Sequence, residues 1–284
     1  MAISRHSAFL RRLAFLGAAH GPKWVLRRTP PAFGLAAFAL SREAREAVLR
    51  NLRRVRGPVP AWRDALDGAR TFTTFAGAFA ESLATGSKNE EPLVPVLEGR
   101  EHLEGILGGP FVIGTIHSGG WDVLGALLTG NLALDVMVVM AREPDARARA
   151  IHDAVRERSG VRVTHVGGDV LDALPLLRQL RSGGVVAVQL DRVPEGMRAL
   201  SVRMFDEDAK MPEGPLHLAR LTGAPVIPIF CARLGFRRYL VRMHPPVRVA
   251  RNAGPEEMAR AAQELADHVT AFVREHPSQW FAFA

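Results

Sequence analysis

The sequence predicts an α/β protein: a largely parallel, mixed sheet with helices on both faces, preceded by a basic helical segment at the N-terminus. Three observations predict it. From residue 92 onward, short runs rich in Val and Ile alternate with helix-length stretches, the pattern of strand–helix–strand units in a sheet covered on both faces. The apolar run 111–116 (FVIGTI) ends in His117-Ser118-Gly119-Gly120 and passes into a second apolar stretch, which reads as strand, tight turn, helix. Charge is also split: residues 1–60 hold twelve Lys/Arg against two acids, a net +10, while the remainder nets −2.

The 284 residues suffice for a sizeable core. Apolar residues make up 48% and charged ones 23%, an ordinary globular balance. The single cysteine, Cys231, excludes an intramolecular disulfide and any multi-cysteine metal site, and suits a reducing compartment. Its place after an apolar run favours inert packing.

Two parts are expected: residues 1–60 as a basic, amphipathic, membrane-associating segment, and residues 61–284 as the α/β domain. Phe9, Leu10, Leu13 and Leu16 recur at helical spacing with Arg11 and Arg12 between them, and residues 33–40 (FGLAAFAL) carry no charge. Neither run approaches the ~20 residues of a spanning helix, and arginines interrupt the first too early for a signal peptide. A segment lying in the membrane interface fits; a helical hairpin packed on the body is the alternative. Pro22, Pro30 and Pro31 read as breaks. Ser41 is positioned to cap a helix over 41–56 whose Ala44, Val48, Leu52 and Val55 share a face, ended by Gly57-Pro58. A second helix is expected over 61–83, its stripe of Phe72, Phe75, Phe79 and Leu83 reading as core.

In the body, strands are expected at 111–116, 136–140, 161–166, 185–190, 226–230 and 239–243. Helices are expected at 123–128, 145–158, 171–181, 215–221 and 255–275, the last opened by Pro255 in its first turn. His117 then stands at the carboxyl end of a strand, where open α/β sheets bind ligands. Asp122 stands at the start of the next helix. The H-x4-D spacing, with Gly119 and Gly120 between, allows the turn to fold Asp122 toward the imidazole; a structural histidine beside a helix-capping aspartate is the bland reading of the same residues.

Several chemistries are excluded. There is no G-x-S-x-G elbow, no phosphate-binding G-x-x-x-x-G-K-[ST], no G-x-G-x-x-G after a strand and no H-E-x-x-H. Basic and aromatic residues are not interleaved as on a nucleic-acid platform. Neither a metal nor a nucleic-acid partner is expected.

The block His117-Ser118-Gly119-Gly120-Trp121-Asp122 resembles the H-x4-[DE] signature of the glycerolipid acyltransferase superfamily. More closely, it resembles the branch of bacterial lipid A late (lauroyl/myristoyl) and phosphatidylinositol mannoside acyltransferases. Three further blocks follow in that family's order: Met140-Ala141-Arg142; residues 180–192 (LRSGGVVAVQLDR); and residues 210–230 (KMPEGPLHLARLTGAPVIPIF). Asn51-Leu52 also resembles its N-terminal region. Val193 stands where the lipid A enzymes commonly carry an acid, and residues 281–284 (FAFA) follow Trp280 in place of a basic tail. These departures bear on the acceptor more than on the reaction.

The resemblance implies a glycerol-3-phosphate acyltransferase-like fold and transfer of a fatty acyl chain from acyl carrier protein or acyl-CoA, with no resident cofactor. The acceptor would be a lipid A precursor-type glycolipid, or alternatively a phosphatidylinositol mannoside, lysophospholipid or other bacterial lipid. A thioester hydrolase and a non-catalytic lipid-binding homologue are the remaining alternatives. His117 would be the general base and Asp122 its orienting carboxylate. Gly119 and Gly120 would supply the close turn, with N–H groups at the helix start stabilising an oxyanion. Arg142 and Arg192 would contact phosphate, Asp191 would position acceptor or loop, and Gly214 lies in the substrate-side block. The enzyme is expected on the cytoplasmic face of the inner membrane, bound peripherally to membrane lipids.

Overall fold

The computed structural model describes residues 17, 21–87, 91–141, 160–167 and 170–283. Arg142, the helix expected over 145–158 and the apolar residues Phe9 to Leu16 lie outside them. Four helices open the described chain: α1 (Lys23–Arg28), α2 (Pro30–Leu40), α3 (Arg42–Arg56) and α4 (Ala61–Ala84). Pro30 and Pro31 do not break structure here. They occupy the first turn of α2, where a missing N–H forfeits no helical bond. Ser41 stands at the N-cap of α3, but its side chain makes no capping bond. The expected apolar face of α3 is buried at Val48, Leu52 and Val55, with Ala47 beside them. Arg53 and Arg56 clamp Asp64 of α4 at 2.6 and 2.8 Å. Burial of Asp64 favours its neutral acid, yet these two guanidinium bonds outweigh it and hold its pKa below the usual carboxylate value.

The body alternates as expected: β1 (Val94–Glu98), β2 (Phe111–Thr115), α5 (Trp121–Leu132), β3 (Val136–Ala141), β4 (Arg162–Val166), α6 (Leu174–Arg181), β5 (Val185–Gln189), β6 (Ala199–Met204), β7 (Glu207–Pro212), α7 (Gly214–Thr222), β8 (Val226–Gly235), β9 (Arg238–Met243) and α8 (Pro255–Glu275). Seven strands form one sheet in the order β1-β9-β8-β2-β5-β3-β4. β8, β2, β5, β3 and β4 are mutually parallel, and β9 runs antiparallel to β8. β1 joins parallel to β9. The sheet is therefore mixed and mostly parallel. The sequence expectation lacks β1 and the separate antiparallel hairpin β6–β7.

Successive side chains of a strand point to opposite faces, and here both faces are covered. Val112, Val186, Val226 and Phe230 pack with α7 and α8 residues on one side. Phe111, Ile113, Val185 and Ile227 pack with Val123, Leu124 and Leu128 of α5 on the other. Each such fully buried side chain contributes roughly 1.5–3 kcal/mol. β2 and β5 are direct neighbours in register, with Thr115 opposite Gln189. Residues two positions past that pair, His117 and Asp191, therefore emerge side by side at the carboxyl edge.

At the opposite edge, β9 ends in a histidine cluster against α8. The rings of His244 and His268 lie 4.8 Å apart, and His276 packs at a tilt against Phe272. Burial, then the nearby charges of His268, Arg242 and His102, push the His244 pKa down to about 4 against the opposing pull of Glu275. Its Nε2 has no hydrogen-bond partner among the described residues. The unfolded chain takes up this proton near pH ~6.5 while the folded chain resists it, so stability is full above pH ~6.5 and falls as the pH drops toward 4. Urea titrations should show the unfolding midpoint falling over that window. His244→Phe, which removes the proton site, should reduce the fall; an unchanged pH dependence in the variant would refute the assignment.

Candidate active site

The buried end of the site is Asp191, whose side chain is 1% exposed. One oxygen lies 3.0 Å from His117 Nδ1. The other accepts the His117 backbone N–H at 3.2 Å and the Trp280 indole N–H at 2.8 Å. Burial raises the carboxyl pKa, but the charge of His117 and the hydrogen bonds of His117 and Trp280 overcome it, leaving the pKa below the ordinary value. Asp191 is thus an anion, Nδ1 carries a proton toward it, and the lone pair of the imidazole resides on Nε2.

This corrects the sequence expectation on one point. The carboxylate at Nδ1 is Asp191, not Asp122. Asp122 stands in the first turn of α5 and lines a cleft. The reason is register: β5 inserts beside β2 and delivers its own C-terminal acid to the histidine.

Gly119 and Gly120 are dictated by packing. Gly119 has φ +50°, and a Cβ there would lie 2.3 Å from the Cys231 carbonyl oxygen; at Gly120 it would lie 2.3 Å from the Tyr239 ring. Two N–H groups of this turn are already engaged within the protein: Gly119 donates to Gln279 O and Trp121 to Ser118 O.

Ser118 is buried, and its hydroxyl donates to Cys231 O at 2.9 Å. Burial drives the Cys231 thiol pKa up to about 12, against the opposing Gly120 N–H. Neither side chain is an activated nucleophile. Arg192 is exposed, next in sequence to Asp191. Gly214 opens α7 with clear space about its α-carbon; a three-residue loop returns α7 into β8, so this N-terminus faces the same edge.

Between α5 and strands β2, β3 and β5 lies a narrow cleft of about 30 Å³, partly open to solvent. Ile113, Leu124, Leu128, Val138 and Ala187 make it apolar, and Thr115, Asp122 and Gln189 are among its polar residues. Trp121 joins cleft and histidine: it lines the cleft, and its ring is 5.5 Å from that of His117. Of the aromatic stripe on α4, Phe72 and Leu83 are core as expected. Phe75 instead stacks on Trp121, with ring centroids 6.1 Å apart. Among the described residues, no group of three His, Cys, Asp or Glu is placed to hold a metal ion.

Sequence reasoning missed Trp280 and Gln279 as parts of the site. The only signal for them is a tryptophan just beyond the closing helix.

A histidine hydrogen-bonded to a buried carboxylate thus stands at the carboxyl edge of an α/β sheet, beside an apolar cleft. Residues 4–284 match the model of the bacterial lipid A biosynthesis acyltransferase family, and the chain belongs to that family. It is an acyltransferase. A phosphatidylinositol mannoside acyltransferase of Mycobacterium tuberculosis is 25% identical, over 92% of this chain and 85% of its own. A protein of the same name from Mycolicibacterium smegmatis is 27% identical, over 93% and 88%. The solved 1-acyl-sn-glycerophosphate (LPA) acyltransferase PlsC from Thermotoga maritima aligns over 95% of this chain and 98% of its own, with 15% identity and a TM-score of 0.41.

The state of Ser118 and Cys231 yields a direct prediction. Rapid-quench mass spectrometry with labelled acyl thioester and no acceptor should find no acylated protein. A stoichiometric adduct on either residue would contradict the geometry.

Proposed function

We propose that the protein moves a fatty acyl chain from a thioester, carried by acyl carrier protein or coenzyme A, to a sugar hydroxyl of a glycolipid at a membrane surface. The observation that carries this reading is the His117–Asp191 pair beside the apolar cleft. The apolar lining of the cleft is the surface an acyl chain would follow, with the thioester carbonyl toward the sheet edge. His117 Nε2 takes the proton of the acceptor hydroxyl as its oxygen bonds to the carbonyl carbon. The tetrahedral intermediate then breaks its carbon–sulfur bond, and the departing thiolate recovers that proton from the imidazolium. Asp191 holds the tautomer and stabilises the transient cation. Arg192, and Arg142 outside the described residues, remain candidates for phosphate contact. A phosphatidylinositol mannoside-type acceptor is favoured by the names of the curated relatives; a lipid A precursor is the second reading, after the family's name.

His117→Ala should abolish transfer in an assay with acyl thioester and glycolipid acceptor while leaving the circular dichroism spectrum unchanged. Asp191→Asn should cost about 10²–10⁴-fold in kcat. Near-normal turnover by His117→Ala would end the proposal.

The membrane part of the proposal rests on the N-terminal helices. Trp24, Phe33, Leu40 and Trp62 are 62%, 70%, 84% and 69% exposed, with Leu35 and Leu66 also exposed. Arg27 and Arg28 end α1 close to this set in sequence. Indoles and apolar side chains beside arginines suit an anionic lipid interface. Among the described residues, no helix is long and apolar enough to cross a membrane. Deleting α2 would disturb the fold, because Phe38 packs edge-on against Phe72 of α4 at 5.5 Å. Point substitution is the cleaner probe. Trp24→Ser, Phe33→Ser, Leu40→Ser and Trp62→Ser combined should weaken co-sedimentation with anionic vesicles about tenfold or more, at unchanged thermal stability. Undiminished binding would sink this surface as the membrane face.

A further inference from the structure

We propose that Trp280 is a positioning residue of the active site, and that segment 279–281 completes the catalytic loop rather than merely ending the chain. This deepens the reading of His117 as base and rests on it.

The geometry is a short antiparallel clasp. Ser118 bridges Trp280, the Gly119 N–H donates to Gln279 O at 3.1 Å, and the Phe281 N–H donates to His117 O at 2.8 Å. The backbone of the histidine loop is therefore held from both ends by the tail. Gln279 is pinned in turn: its side chain accepts from Arg233 N at 2.7 Å and donates to Arg233 O at 3.1 Å. From this fixed point Trp280, 8% exposed and packed 5.3 Å from the Phe205 ring, aims its indole N–H at Asp191.

The chemistry of that bond is specific. The Asp191 oxygen accepting from Trp280 is the one that also receives the His117 backbone N–H, while the other faces Nδ1. The indole thus fixes the rotation of the carboxylate so that one oxygen points at the imidazole. It also stabilises the anion in a site without water contact. Without it, the carboxylate turns more freely and, having lost a donor, becomes more basic, so it holds the imidazolium form of its partner more tightly.

The test is Trp280→Phe in the full-length enzyme, which keeps an aromatic ring against Phe205 and deletes the N–H. The kcat should fall about 10–100-fold, the usual effect of losing one hydrogen bond to a charged group, with KM for both substrates little changed. The acid limb of the pH–rate profile should move to higher pH. Replacement of Trp280 by 3-benzothienylalanine, which substitutes sulfur for the N–H at nearly constant shape, should reproduce the same defect even where Trp280→Phe folds poorly. Wild-type kcat and pH profile in the benzothienyl variant would overturn the proposal. His117→Ala run alongside separates the two claims: an active His117→Ala refutes the base, whereas an inactive one beside a wild-type-like benzothienyl variant refutes only the role of Trp280.

Discussion

The arrangement turns on one buried anion. A carboxylate removed from water is strongly unfavourable unless donors surround it, and Asp191 has three, one from the His117 ring, one from the His117 backbone and one from Trp280. No single element supplies them. β2 delivers the histidine, β5 delivers the acid, and the residues after α8 deliver the indole. The anion is thus compatible only with a chain whose middle and C-terminus have both arrived, so the site and the completed fold form together. In the same arrangement the imidazole is kept in one tautomer, the condition a general base needs.

A second buried acid ties the outer helices to this centre. Glu81 of α4, 1% exposed, accepts from Arg233 at 2.6 and 3.0 Å, from the Arg237 backbone and from the Tyr239 hydroxyl at 2.6 Å. Burial and the adjacent Glu81 charge raise the Tyr239 pKa well above its ordinary value, so the hydroxyl stays a donor. Arg233 is also the residue whose backbone clamps Gln279. Tyr239 is the ring that leaves no room for a side chain at Gly120. One polar network therefore fixes α4, β8, β9, the histidine turn and the C-terminal tail relative to one another.

These connections explain what was legible in the sequence. Strand, turn and helix around His117 were legible because they are local: an apolar run, two glycines and a second apolar run. The strands of the parallel core were legible for the same reason, as was α8 from Pro255. The partner of His117 was not. H-x4-D spacing is a local signal and points to Asp122, whereas Asp191 is chosen by strand order, 74 residues away, and nothing in the residues of β5 says that it inserts beside β2. β1 was missed because VPVLE is short, holds a proline and occupies an edge, where a lost N–H is tolerated. The β6–β7 hairpin was missed because its strands are half polar, and its turn, Phe205-Asp206, adopts positive φ without glycine. Pro30 and Pro31 misled because proline ends a helix or begins one, and only the following turn decides which.

The aromatic stripe of α4 relates the lipid-facing surface proposed above to the chemistry. Trp62 and Leu66 are exposed near its start, whereas Phe75, three turns on, stacks against Trp121 and meets Phe281 and Phe283 edge-on at 5.3 and 4.9 Å. The neighbouring α2 lies along this same stretch, with Gly34 tight against the Phe72 backbone and Phe38 edge-on to the Phe72 ring at 5.5 Å. Phe72 meets Phe283, Phe283 meets Phe75, Phe75 stacks on Trp121, and Trp121 lies against the His117 ring. An unbroken run of aromatic contacts thus ties the N-terminal helices to the histidine, so a displacement of α2 is transmitted through close-packed rings to the ring that flanks the base.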